Sequence, residues 1–136
     1  MRVLLFGANG QLGSDITRLW QDEDIALTTA TRQDADVTDA AAVGALIESA
    51  RPDVVINTTA FHNLPVCEQD PETCFRVNVI GGWNVARAAA AAGALFGMYN
   101  SYAHDYVPIE EKLLQRAVGL TTIYDRGGPD SGVELG

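Results

Sequence analysis

Lysine is almost missing from this chain: Lys112 is the single one in 136 residues, set against 18 acidic side chains, and the formal net charge is −9. No basic stripe exists to neutralise a nucleic-acid backbone, so nucleic acid is not an expected partner. Cysteine is scarce as well. Cys67 and Cys74 are too few and too oddly spaced for a disulfide framework or a zinc site, so no metal is expected and the thiols read as buried or idle. No apolar run approaches the roughly 18 residues of a membrane span, and Met1-Arg2-Val3 enters an apolar stretch with no charged leader or cleavage site, so no membrane association and a cytoplasmic location are expected. No low-complexity linker divides the chain. One domain is expected over residues 1–124, able to hide about two-thirds of its unfolded surface, followed by a flexible, Gly- and Asp-rich tail over 125–136.

What the chain does have is glycine where a strand should meet a helix. The apolar run Val3-Leu4-Leu5-Phe6 leads into Gly7-Ala8-Asn9-Gly10-Gln11-Leu12-Gly13, a G-x-x-G-x-x-G turn, and then into a helical pattern. Gly7 lets the backbone leave the strand sharply, Gly10 lets main-chain N–H groups approach a phosphate, and Gly13 lets the helix pack on the strand. The helix N-terminus adds unpaired donors and partial positive charge. Gly7, Asn9, Gly10, Gln11, Leu12 and Gly13 are therefore expected to seat the pyrophosphate of a dinucleotide; the competing reading is an ordinary tight βα turn.

The first strand is expected over 2–6 and the first helix over 11–21, with Leu12, Ile16, Leu19 and Trp20 spaced for burial. A second strand is expected over 25–29. Dinucleotide-binding sheets read the adenosine ribose just beyond that strand, where an Asp or Glu would select a free 2′-hydroxyl. Here stands Arg32, which can pair bidentately with a 2′-phosphate, so NADPH is favoured over NADH; a merely solvated arginine is the alternative. Residues 34–37 are expected to form a very short third strand that sets Asp36 to accept from the adenine amine and Val37 to pack on the ring. Thr38 or Asp39 then caps a helix to Ala50.

Residues 53–56 form an apolar run typical of a central parallel strand covered on both faces. It turns polar and small at Asn57, Thr58, Thr59 and Ala60. Ligands of open α/β sheets bind at such carboxyl ends, so Thr58, Thr59 and Ala60 are candidates for the second half of the dinucleotide, against the alternative of a plain polar turn. A loop over 61–69 leads to a well-punctuated helix over 71–92: Asp70 as cap, Pro71 at the first position, Gly93 past the end. That helix is apolar around most of its circumference. One face carries Cys74, Val77, Asn78, Gly81, Val85, Ala88 and Ala92, where Asn78 needs a hydrogen-bonding partner and Gly81 permits close approach. The other carries Phe75, Val79, Gly82, Trp83, Ala86 and Ala90, needs a cover, and suggests a homodimer through this helix. A strand over 94–99, an aromatic and polar stretch over 100–107, a helix over 109–118 and a last strand over 120–124 complete the expectation.

Gly7 to Gly13, Arg51-Pro52-Asp53-Val54-Val55-Ile56-Asn57, Cys67-Glu68 ahead of Asp70-Pro71-Glu72, and Val77-Asn78-Val79-Ile80-Gly81 together resemble the dTDP-4-dehydrorhamnose reductase group of extended short-chain dehydrogenases, over about residues 1–95. The resemblance implies an α/β, three-layer Rossmann-like domain with a parallel sheet flanked by helices, NADPH or NADH as cofactor, and a nucleotide-linked 4-keto sugar as substrate. It assigns Gly7, Gly10, Gln11 and Leu12 to the pyrophosphate, Asp36 and Val37 to the adenine, and Thr58 to Ala60 to the nicotinamide ribose.

After about residue 95 the pattern changes. The family's Tyr-x-x-x-Lys pair, in which the tyrosine donates a proton to the ketone and the lysine holds the ribose, has no counterpart, because Pro108 stands four residues before Lys112. Tyr106, Lys112 and Ser101 remain as weak catalytic candidates, with Tyr102 and His104 near them; His62 and His104 otherwise read as loop residues. The chain looks truncated, with no separate substrate domain. Three functions stay open: a dinucleotide-binding domain without the family's catalysis, an atypical active reductase of a nucleotide-linked keto sugar, and a folded dimeric module that binds nothing.

Overall fold

The computed structural model describes residues 1–20 and 24–98. Strand β1 (Arg2–Phe6) is followed by helix α1 (Gln11–Leu19), β2 (Ala26–Ala30), α2 (Ala40–Ala50), β3 (Val54–Asn57), α3 (Leu64–Gln69), α4 (Pro71–Phe75), a π-helical turn (Arg76–Gly81), α5 (Gly82–Ala91) and β4 (Leu95–Met98). The strands form one parallel sheet in the order β2-β1-β3-β4. The order reverses beside β1, and a crevice opens there at the carboxyl ends of β1 and β3.

Alternation along the central strands sorts their side chains into two cores. Leu4, Phe6 and Val55 pack with Val43 and Ile47 of α2 and with Val85 and Ala89 of α5. Val3, Leu5, Val54 and Ile56 pack with Ile16 of α1 on the opposite face. Helices on both faces and a sheet between them make three layers, the arrangement in which continuously apolar strands can be buried on both sides. Asp53 fastens the start of the sheet: its carboxylate accepts from the Arg2 backbone N–H at 2.7 Å and from the Arg2 guanidinium at 2.9 Å.

Four expectations need correction. Residues 34–37 are not a strand: the Asp34 and Ala35 N–H groups donate to the Thr31 carbonyl at 3.0 and 3.1 Å and the Asp36 carbonyl accepts from the Asp39 N–H at 2.9 Å, so backbone groups a ladder would need are used locally, and side chains brace the same turns. The Asp34 carboxylate accepts from the N–H and hydroxyl of Thr31, both at 2.8 Å, and the Asp36 carboxylate accepts from the N–H and hydroxyl of Thr38 at 2.9 and 2.8 Å. Residues 61–69 are not all loop: Asn63 caps α3, and Pro65 in its first turn starts the helix instead of breaking it. Leu19 is 69% exposed rather than buried, since α1 ends there and only Ile16 of its apolar stripe is deeply covered. Strand β2 is Ala26–Ala30, one residue later than expected.

Asp39, not Thr38, caps α2, accepting from the N–H groups of Ala41 and Ala42. The expected helix over 71–92 starts and stops as its punctuation implies, with Asp70 accepting from the Thr73 N–H and Gly93 in the left-handed region. Its interior was not foreseen, because the π-helical turn interrupts it. Phe75, Val79 and Trp83 are exposed by 57%, 48% and 62%, so among the described residues nothing covers these three side chains, whereas Gly82 of the same face is buried. The elements expected over 100–124 and the tail over 125–136 lie outside the described residues.

Candidate functional site

The glycine turn hangs from the end of β2. The Gly7 and Ala8 N–H groups donate to the Ala30 carbonyl at 2.9 and 3.2 Å, and the Gly10 N–H donates to the Gly7 carbonyl at 2.9 Å. Gly7 lies at φ +79°, and a Cβ there would meet Thr58 Oγ1 at 2.8 Å. Gly10, in extended backbone, caps α1 without a side chain, and no acidic residue stands in the first turn. The first bond of α1 runs from the Ser14 N–H to the Gly10 carbonyl. Among the described residues no group accepts from the N–H donors of Gln11, Leu12 and Gly13. Such a terminus favours a negative ligand.

A cleft of about 630 Å³ opens on this turn. Of the residues singled out from sequence, Gly7, Asn9, Gly10, Gln11, Leu12, Arg32, Asp36, Val37, Thr58, Thr59 and Ala60 all line it. Gly13 does not. It is buried beneath the turn, where a Cβ would run into the Gly7 carbonyl, so its part is to seat the helix. Asp15, Thr31, Ala35, Phe61, His62 and Val77 line the cleft without having been foreseen. They come from α1, from the stretches after β2 and β3 and from the π-helical turn, which only the fold brings together.

At one end of the cleft, Arg32 is 85% exposed and its Nε donates to Asp36 Oδ2 at 3.0 Å. The Thr38 N–H and hydroxyl, and then Arg32, hold the Asp36 carboxyl below the usual carboxylate range. Val37 is 6% exposed and is placed by two groups distant from it in the chain. The buried Asn84 amide donates to the Val37 carbonyl at 3.0 Å. Gly81 brings the helix so close that a Cβ there would lie 2.6 Å from Val37 Cγ2.

At the other end, Asn57 is 1% exposed and organises the turn after β3, its Oδ1 accepting from the Thr59 N–H at 3.0 Å and hydroxyl at 2.6 Å. The Thr58 hydroxyl donates back to the Phe6 carbonyl at 2.8 Å, with the Gly7 carbonyl at 3.2 Å. Both threonine hydroxyl protons are therefore engaged within the protein. Asn78 finds the partner its burial required in the Phe61 peptide: Phe61 N–H donates to Asn78 Oδ1 at 2.8 Å and Asn78 Nδ2 donates to the Phe61 carbonyl at 2.9 Å. The catalytic candidates Ser101, Tyr106 and Lys112, with Tyr102 and His104, lie outside the described residues. No group of metal-binding side chains is found among the described residues, and no helix there is long and apolar enough to cross a membrane.

The family model of the RmlD substrate binding domain matches residues 1–107. The chain belongs to this family. Among similar proteins, the dTDP-4-dehydrorhamnose reductase of Streptomyces griseus is 36% identical over 94 residues, 69% of this chain and 31% of that protein. The enzyme of the same name from Mycobacterium tuberculosis (strain ATCC 25618 / H37Rv) is 36% identical over 93 residues, 68% of this chain and 30% of its own length. The crystal structure of the dTDP-4-dehydrorhamnose reductase from Clostridium acetobutylicum superposes with a TM-score of 0.68 at 34% identity, covering 71% of this chain and 34% of that one. The Bacillus anthracis enzyme in complex with NADP superposes with a TM-score of 0.67 at 28% identity, covering 70% and 34%. The fold is the Rossmann fold of these reductases. The chain spans about a third of the length of the RmlD relatives it matches.

Proposed function

We propose that residues 1–124 are one dinucleotide-binding domain that holds NAD(P) in the cleft, as the cofactor half of a nucleotide-sugar reductase, and that these 136 residues do not themselves carry out the family's reduction. The observation that carries this reading is the pair of open donors lining the cleft: Gln11 and Leu12 offer N–H groups without acceptors, and Gly10 puts no side chain between them and a ligand. The occurrence of NADP in the Bacillus anthracis relative supports it.

The pyrophosphate sits against the turn formed by Gly7 to Gly13. The adenine lies along Val37 with Asp36 at its edge, and Thr58, Thr59 and Ala60 face the nicotinamide ribose. Arg32 meets the 2′-phosphate, exchanging its bond to Asp36 for a bidentate one, which makes NADPH the preferred form. The bound cofactor would supply a hydride. A proton donor would have to stand about 3 Å from the ketone oxygen, and no Tyr-x-x-x-Lys pair supplies one in this sequence. A nucleotide-linked keto sugar belongs to the reading as the ligand the family handles. A homodimer through the exposed Phe75, Val79 and Trp83 face belongs to it too, and a monomeric mass by light scattering counts against that part.

Titration calorimetry with NADPH and NADH tests the reading. Both should bind, NADPH more tightly, and Arg32→Ala should erase the difference between them. Equal affinity in the unaltered protein contradicts the role of Arg32. Oxidation of NADPH on adding a dTDP-4-keto sugar, abolished by Tyr106→Phe, contradicts the absence of catalysis.

A further inference from the structure

The two thiols expected to be idle converge on one atom of the cleft wall. Cys67 Sγ donates to the Phe61 carbonyl at 3.3 Å and Cys74 Sγ to the same oxygen at 3.7 Å, while Asn78 Nδ2 lies 3.3 Å from Cys74 Sγ and 2.9 Å from that oxygen. Three donors thus crowd a carbonyl with two lone pairs. Its residue, Phe61, lines the cleft beside Thr59, Ala60 and His62. The sulfurs come from different helices, Cys67 near the end of α3 and Cys74 in α4, and neither is fully buried. Hydrogen bonding to Cys74, then burial and the Cys74 charge, push the Cys67 thiol up to about 11.

We infer that Cys67 and Cys74 are a redox-responsive dithiol, oxidised to an intramolecular disulfide by exchange with a small-molecule disulfide of the glutathione type, and that this oxidation loosens the Phe61 wall of the cleft. The exchange balances in two steps. The Cys74 thiolate attacks the small disulfide, forming a mixed disulfide and releasing one small thiolate. The Cys67 thiolate then attacks the Cys74 sulfur and expels the second small thiolate. Two electrons pass from the cysteines to the small disulfide, and each protein thiol gives up its proton on the way. Oxidation takes both S–H donors away from the Phe61 carbonyl and leaves Asn78 alone to fix that peptide. The consequence for cofactor affinity rests on the dinucleotide reading above.

The chain has only two cysteines, so an intramolecular disulfide has one possible identity. The purified full chain is equilibrated with mixtures of reduced and oxidised glutathione, quenched in acid, treated with iodoacetamide and weighed intact. The expected oxidised product is a monomer two hydrogens lighter than the reduced chain, with no alkylation. Cys67→Ser should stop at a glutathione adduct on Cys74. Final products that are glutathione adducts on both thiols, or linked dimers only, overturn the dithiol. Amide hydrogen exchange at Phe61 should be about tenfold faster or more in the oxidised chain; unchanged exchange overturns the link to the cleft wall. NADPH should bind more weakly to the oxidised chain than to the reduced one, and equal affinity overturns the coupling to the cofactor. Failure of the reduced chain to bind either cofactor would instead count against the dinucleotide reading, while the mass and exchange results would still judge the dithiol.

Discussion

Gly10→Val separates a binding position from a folding one. Gly10 has φ −76° and ψ 173°, backbone that valine adopts freely. A Cβ there meets one atom within 4 Å, the Gly7 carbonyl oxygen at 3.2 Å. The turn gives by a few tenths of an ångström, and the remaining methyl groups stand in the cleft, so the unliganded variant should lose less than about 1 kcal/mol. A ligand held off the N–H groups of Gln11 and Leu12 loses short, charge-assisted bonds, for which about two decades of affinity, roughly 2.7 kcal/mol, is a conservative loss.

Thermal shift reads the difference. At a cofactor concentration about 100 times its Kd, the unaltered protein gains about 2.7 kcal/mol, or roughly 10 °C. With a Kd raised about a hundredfold, the variant gains about 0.4 kcal/mol at the same concentration, or roughly 1–2 °C. Gly13→Ala should behave in the opposite way. Its Cβ collides with the Gly7 carbonyl, which is backbone and has nowhere to move, so the melting temperature should fall before any cofactor is added. A Gly10→Val protein that keeps the full cofactor shift refutes the placement of the ligand at this turn.

Asn84→Ala should destabilise the protein by about 1–3 kcal/mol by chemical denaturation, because it leaves the buried Val37 carbonyl without its donor. It should also weaken cofactor binding, since Val37 lines the cleft; an unchanged midpoint contradicts the importance of that bond. Asp53 titrates at about 2, held down by the Arg2 guanidinium and then its N–H. With the folded value below the unfolded one near 4, its contribution is complete above about pH 4 and disappears as the pH falls towards 2. The melting temperature of Asp53→Asn should therefore lie below that of the unaltered protein at pH 7 and meet it near pH 2, and parallel curves contradict the pairing.

Punctuation made much of this fold legible in the sequence. The glycine turn, the Asp39 cap, the apolar run into Asn57 and the Asp70-Pro71 start of the long helix each act over three or four residues, and each stands as expected. The misses have long-range or competing causes. The Asp34 and Asp36 carboxylates take bonds from Thr31 and Thr38 that a strand would have lacked, and no period in the sequence announces that competition. The π-helical turn aims Asn78 at a peptide 17 residues away, and Asn84 reaches Val37 across 47. Pairings of that length are set by packing, so they are invisible until the layers are assembled. The oxygen shared by Cys67 and Cys74 lies only 6 and 13 residues from them, yet it too depends on how α3 and α4 are set against the Phe61 peptide.

Assigned backbone amide resonances of the isotope-labelled protein, followed while NADPH is added, examine the central claim most directly. The amides of Gln11 and Leu12 should shift most, joined by Thr58, Thr59 and Ala60, and the perturbation should saturate. Resonances of the glycine turn that stay in place at millimolar NADPH would contradict the account.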